Sequence, residues 1–245
     1  MLACYRIIVF FLFPFLLALI FVRKLLKKED TVRYKEKIFA SNFKVARNQK
    51  NKLFWFHVAS IGEFFSIFRL LSEIDKNKKN VDFLITSGTL SSSKLIEKKI
   101  KRLKNFTHRF FPLDTTNLSE KFLNEWKPDL ACFVDSEIWP NFLFKIKEKK
   151  IPLVFINARI TKKTLSRWKI FNNFGKKIFS NFDLCLTASK ESKQNLNELE
   201  VKNLKFIGNL KYSVQDSFNE IGSMNKKILD NYKVWCAAST HNTEF

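Results

Sequence analysis

Glycine is scarce, with five in 245 residues. None falls in a G-x-G-x-x-G or G-x-x-x-x-G-K-[ST] arrangement, so a dinucleotide-binding fingerprint and a Walker-type phosphate loop are excluded. Cysteine is as sparse: Cys4, Cys132, Cys185 and Cys236 stand far apart and form no C-x-x-C pair. That speaks against a disulfide framework or a structural zinc site and fits a reducing compartment. Three histidines leave little material for a His-rich metal centre. Acidic charge is in deficit: 23 Asp and Glu face 44 Lys and Arg, a net charge of +21. The surplus, with 28 phenylalanines, excludes an acidic, solvating or disordered chain. It directs attention to an anionic partner: nucleic acid, phosphorylated lipid or a membrane surface. A general bias of composition toward lysine accounts for the same numbers without a specific target.

What is present begins with an uncharged run. Residues 7–22 read IIVFFLFPFLLALIFV, and with residues 1–5 the stretch approaches the ~20 residues that span a bilayer, interrupted only by Arg6. Arg23, Lys24, Lys27 and Lys28 follow at once. A cleavable signal peptide carries its positive charge ahead of the apolar run and small residues behind it. Here the larger cluster lies behind, and no A-x-A site follows. The positive-inside rule therefore places the remainder of the chain in the cytoplasm. Pro14 and the modest length leave open whether the segment crosses the bilayer or dips into one leaflet.

Residues 29–51 are polar and basic, with a short helix expected near 33–43. From Leu53 onward, short apolar runs at 53–58, 81–86, 109–111, 130–134, 153–156, 184–187 and 204–207 alternate with amphipathic stretches at 64–74, 91–101, 118–126, 140–149 and 166–179. This alternation reads as βαβ units around a parallel sheet, and strands apolar on both faces suit burial under helices. There are no internal repeats and no low-complexity linker. Residues 208–233 read as a connector plus helix, and KVWCAA at 233–238 starts a further strand, followed by STHNTEF.

Ligands of open parallel sheets sit beyond the carboxyl ends of the strands. Four segments there are chemically unusual. In HVASIGEF, residues 57–64, Ser60 and Glu63 have the spacing of a capping box, and Gly62 permits close approach of the backbone to a ligand. The Glu63 carboxylate also stands where it can accept a proton from a hydroxyl. In VDSEIWPN, residues 134–141, Asp135 and Glu137 follow a strand: two carboxylates able to hold a sugar, a metal or each other's protonation state, or to cap the helix that Pro140 opens. In INARIT, Asn157 and Arg159 leave the fifth strand. Arg159 suits a phosphate or carboxylate ligand, or pairing with Asp135 or Glu137, and pairing is the expected role. In GNLKYS, Lys211 lies on the connector, where a lysine is ordinarily solvated. His57 reads as a core histidine and His108 as the flank of a strand, while the phenylalanines show no spacing that implies a base-stacking platform.

Six segments taken in order, HVASIGE, FPLDT at 111–115, VDSEIWPN, IPLVFINARIT, GNLKYS and AASTH, resemble the 3-deoxy-D-manno-octulosonic acid (Kdo) transferases, as does the apolar N-terminus with its basic flank. The resemblance implies an α/β fold of the GT-B type: an anchor helix over 1–28, a Rossmann-like acceptor domain over 29–207, a connector over 208–233, and the first strand of a donor-binding domain over 234–245. It implies transfer of Kdo from CMP-Kdo to the lipid A precursor, lipid IVA, at the cytoplasmic face of the inner membrane, with no metal, no cofactor and no nucleic acid. By motif, Glu63 maps to the family's catalytic base. Asp135 maps to its transition-state-stabilising acid, one methylene shorter than the usual Glu, and Lys211 maps to a stabilising lysine. Ser60, Gly62, Glu137, Asn157, Arg159, Ser239, Thr240 and His241 complete the expected substrate contacts. On this reading the second Rossmann-like domain is mostly missing and the chain by itself is expected not to turn over. A reading of another class is a membrane-tethered basic α/β protein that binds anionic lipid or nucleic acid without chemistry.

Overall fold

Strands rich in Phe, Val, Ile and Leu cannot leave either face in water, and each amphipathic segment between them has one apolar stripe to bury; a helix-covered parallel sheet satisfies both. The computed structural model, which describes residues 1–43, 50–101, 103 and 105–213, shows that arrangement. Helix α1 (Leu2–Leu25) leads through two short 3-10 turns (Arg33–Lys37 and Ala40–Asn42) into β1 (Lys52–Val58), α2 (Ile61–Asn77), β2 (Val81–Ser87), α3 (Leu90–Ile100), β3 (Phe106–Phe110) and α4 (Thr116–Trp126). There follow β4 (Leu130–Val134), α5 (Pro140–Glu148), β5 (Leu153–Ala158), α6 (Lys162–Ile170), α7 (Asn172–Phe179), β6 (Leu184–Thr187), α8 (Lys190–Glu198), β7 (Leu204–Phe206) and a 3-10 turn at Leu210–Ser213. The connector beyond 213 and residues 234–245, with Ser239, Thr240 and His241, lie outside the described residues.

All seven strands are parallel, in the order β3-β2-β1-β4-β5-β6-β7. Side chains alternate between two cores. Leu53, Trp55, Ala131, Phe133, Leu153 and Phe155 face α4, α5 and α7. Phe54, Phe56, Val58, Cys132, Val134 and Ile156 face α2 and α3. Strand order reverses between β1 and β4, so the loops after these strands diverge to opposite faces and leave a crevice.

Two expectations are corrected. The helix expected near 33–43 is a pair of 3-10 turns, because Glu36 is drawn into the fold, where it accepts from the Phe110 amide at 2.8 Å and the Arg33 guanidinium at 2.8 and 3.0 Å. The single stretch at 166–179 is two helices, α6 and α7, broken at Phe171, whose φ of −107° and ψ of 43° leave the helical region. Gly175 then fits against Trp168, where a Cβ would meet the Trp168 carbonyl at 3.2 Å.

Helix α1 packs along this domain. Ile20 is buried against Tyr34 and Ile38, and Phe13 packs on the main core. Near its start the Tyr5 hydroxyl donates to Asp114 Oδ2 at 2.8 Å, and Arg6 Nε donates to Asn141 Oδ1 at 3.1 Å. Asp114 also accepts the amides of Asn141 and Phe142, both at 3.0 Å, and so joins α1 to the first turn of α5. Asp114→Ala leaves three donors without their acceptor; it is expected to lower stability by about 2–4 kcal/mol, read from urea unfolding.

Candidate active site

Four segments meet at the carboxyl edge of the sheet. Ser60 is the N-cap of α2, and the capping box forms: Ser60 Oγ accepts the Glu63 amide at 3.2 Å, while the Glu63 carboxylate accepts the Ser60 hydroxyl at 3.1 Å and the Ala59 amide at 2.7 Å. The two oxygens are thereby fixed at the mouth of the crevice. Burial raises the pKa of Glu63, the negative charges of Glu137 and Asp135 raise it further, and the Ala59 amide and Ser60 hydroxyl act in the opposite direction. A carboxyl so placed is a better proton acceptor once ionised than a solvent-exposed glutamate. A Cβ on Gly62 would meet nothing nearer than Ser60 Oγ, at 3.9 Å, so the space beside it is open to a ligand.

Beyond β4 the backbone turns sharply. Asp135 adopts φ +65° and, on the adjacent strand, Asn157 adopts φ +54°. Left-handed backbone outside glycine costs on the order of 1 kcal/mol, Asp and Asn bearing it best, and two such residues side by side mark a site where the fold holds a particular geometry. Asp135 donates its amide to Ile156 O at 3.0 Å and accepts the Arg159 amide at 2.9 Å, which locks the two turns together. Its Oδ2 accepts from Lys211 Nζ at 3.3 Å, whereas Oδ1 is buried with no hydrogen-bond partner among the described residues. Asn157 Oδ1 accepts the Leu210 amide at 3.0 Å and holds the Lys211 segment in place.

A chain of buried groups supports Glu137. Trp55 Nε1 donates to Thr86 Oγ1 at 2.9 Å, and Thr86 Oγ1 lies 3.0 Å from His57 Nδ1. His57 Nε2 lies 3.1 Å from Trp139 Nε1 and 3.4 Å from Glu137 Oε2. Trp139 Nε1 donates to the same oxygen at 2.9 Å. Burial holds His57 below its usual pKa despite the Glu137 charge. For Glu137, burial opposes ionisation, but the His57 and Trp139 bonds outweigh it and keep the carboxyl below the usual range.

The structure thus brings together Ser60, Gly62, Glu63, Asp135, Glu137, Asn157 and Lys211. One expectation fails: no ion pair joins Arg159 to Asp135 or Glu137 among the described residues. Lys211 takes Asp135 instead, while Arg159 points along a cavity shared with Ser189, Asn209 and Tyr212. His57 is the buried, hydrogen-bonded histidine expected, and Thr86 and Trp55 behind it carry no sequence signal, since only the pairing of β1 with β2 places them in line.

The family model of the 3-deoxy-D-manno-octulosonic-acid transferase (kdotransferase) matches residues 33–214. The chain belongs to this family. A 3-deoxy-D-manno-octulosonic acid transferase of Rickettsia bellii is 34% identical over 98% of the chain and 57% of its own length. Its counterpart in Rickettsia prowazekii is 35% identical over 80% of the chain and 42% of its own length. The chain therefore spans about half the length of these curated relatives. Among solved structures, the UDP-GlcNAc 2-epimerase from Neisseria meningitidis aligns with a TM-score of 0.51 at 15% identity, covering 74% of the chain and 54% of the epimerase. That likeness concerns the fold alone, and it agrees with a Rossmann-like domain of the GT-B class.

The electrostatic coupling within this domain is open to measurement. Glu63 is expected to titrate above an ordinary glutamate. Glu137→Gln, which removes a neighbouring negative charge and makes ionisation less costly, moves that titration to lower pH. Carboxyl NMR titration of the two proteins reads the shift; an unchanged Glu63 titration refutes the coupling.

Proposed function

We propose that this domain carries the acceptor side of Kdo transfer from CMP-Kdo to the lipid A precursor, lipid IVA, in lipopolysaccharide assembly. The observation that supports this best is the placement of Glu63. Its carboxyl is desolvated, flanked by Glu137 and Asp135, and fixed by the capping box beside the open space at Gly62. In this reading Glu63 takes the proton of an acceptor hydroxyl as its oxygen bonds to the anomeric carbon of Kdo. The bond from that carbon to the CMP phosphate breaks, and its electron pair leaves with CMP. A phosphate leaving group needs no added proton, and the mechanism has no step for a metal.

The transition state carries positive charge at the anomeric centre. The unpartnered Oδ1 of Asp135 offers negative charge without reorganisation, and Lys211, already bonded to Oδ2, balances the anionic donor. Asp135 in place of the family's glutamate shortens the reach of the carboxylate and keeps its sign. Asn157 holds the Lys211 segment, Ser60 holds Glu63, and Arg159, which lines a cavity with Ser189 and Asn209, would take an anionic group of the donor. Ser239, Thr240 and His241 are proposed donor contacts by motif alone.

Membrane association belongs to the same proposal. Helix α1 is long and apolar enough to cross a bilayer, with a mean hydropathy of 2.5 over its most apolar window and only 6% of that window buried. Lys24, Lys27, Lys28 and Lys35 stand near its carboxyl end, where each contributes about 1 kcal/mol toward an anionic leaflet. The +21 charge then serves a phosphorylated glycolipid and the cytoplasmic face of the inner membrane, not nucleic acid.

In a full-length enzyme carrying this domain, Glu63→Gln is expected to lower Kdo transfer by about 10²–10⁴-fold while fold and membrane binding persist. Transfer assayed with CMP-Kdo and lipid IVA decides it: near-normal turnover of Glu63→Gln overturns the catalytic assignment and favours a binding protein whose affinity falls steeply with salt.

A further inference from the structure

Both ends of α1 are bonded to one domain. Near the start, Tyr5 and Arg6 reach Asp114 and Asn141 at 2.8 and 3.1 Å. Near the end, Arg23 Nε bonds Glu29 at 2.7 Å; the other oxygen of Glu29 accepts from Lys37 at 2.5 Å, and Lys37 donates to the Gly88 carbonyl after β2 at 2.8 Å. Arg6 and Arg23 are about 25 Å apart along the helix axis at 1.5 Å per residue. The hydrocarbon core of a bilayer is about 30 Å thick. A helix standing across the membrane would carry Asp114 and Asn141 into hydrocarbon, or would break the contacts at one end.

The distribution of side chains on α1 fits the alternative. Phe13, Leu17 and Ile20 turn toward the domain. Ile7, Ile8, Phe11, Phe15 and Val22 are exposed, and at 100° per residue they fall on the opposite side of the helix. That face is apolar from end to end, while the charged residues of α1 are turned to the domain or gathered at its carboxyl end. A helix bonded to a folded domain by one face, apolar on the other and ending in Lys24, Lys27 and Lys28 has the layout of a segment lying in the membrane interface.

We propose that α1 lies in the plane of a single, anionic leaflet, with its amino terminus on the same side of the membrane as the domain. This rests on the membrane reading given above. It replaces a hinged anchor with a fixed platform: the crevice between β1 and β4 keeps a set height over the leaflet, because His57, Ala59, Glu137 and Trp139 line one cavity with Leu16, Leu19, Ile20 and Arg23 of α1. A lipid acceptor would then meet Glu63 by rising only as far as its headgroup, with its acyl chains still in the leaflet.

The test is the topology of the full chain carrying an epitope tag ahead of Met1, produced in a Gram-negative host and recovered with the membrane fraction. Protease added to intact spheroplasts is expected to leave the tag in place, and to remove it once the inner membrane is opened. Loss of the tag from intact spheroplasts places the amino terminus outside the cytoplasm and overturns the in-plane arrangement, leaving the membrane assignment standing. Recovery of the chain in the soluble fraction overturns both.

Discussion

Where β1 runs beside β4, His57 lies opposite Phe133, and the two strands end at the same edge of the sheet. The rest of the site hangs from that pairing. It sets the Ser60–Glu63 turn against the Asp135–Trp139 turn, and it does so at the point where strand order reverses and the following helices α2 and α5 part to opposite faces. The pairing is held by aromatic packing under it: Trp55 lies against Phe111, Phe122, Phe133 and Phe142, with ring centroids 5.1–6.2 Å apart, and His57 stacks on Phe111 at 3.9 Å. The phenylalanines buried here fill the core beneath the crevice.

On this frame three carboxyls, Glu63, Asp135 and Glu137, are gathered at one edge of the sheet, and each is held by a different device: backbone amide and hydroxyl for Glu63, Lys211 for Asp135, and His57 with Trp139 for Glu137. Different support for neighbouring carboxyls is what allows one to stay ionised while another holds its proton more tightly. The strained turns at Asp135 and Asn157 belong to the same arrangement, because they keep the carboxylate and the Leu210–Ser213 segment facing each other.

Helix α1 shows how a local pattern is reinterpreted by its surroundings. As sixteen uncharged residues with a basic flank it has the composition of an anchor, and nothing in that composition distinguishes crossing from lying flat. Tyr5 and Arg6 at one end and Arg23 at the other look like minor blemishes in an apolar run, yet their partners Asp114, Asn141 and Glu29 are more than a hundred residues away in two cases and six in the third.

The sequence by itself determined the parallel α/β architecture, because runs such as LACFV and LCLT are apolar on both faces and admit little but a helix-covered strand. It determined the capping box at Ser60 and Glu63, a matter of three-residue spacing, and through six ordered motifs it determined the family. The tertiary structure decided what depends on residues distant in the chain: that Lys211 and not Arg159 pairs with Asp135, and that Trp55, Thr86 and His57 stand in line behind Glu137. It decided that 33–43 is drawn into 3-10 turns by Glu36, and that α6 and α7 break at Phe171. Local pattern fixes which atoms a residue offers, by spacing along one element. Partner choice depends on strand register and on which loops share an edge, and these arise only when the whole sheet has closed around its two cores.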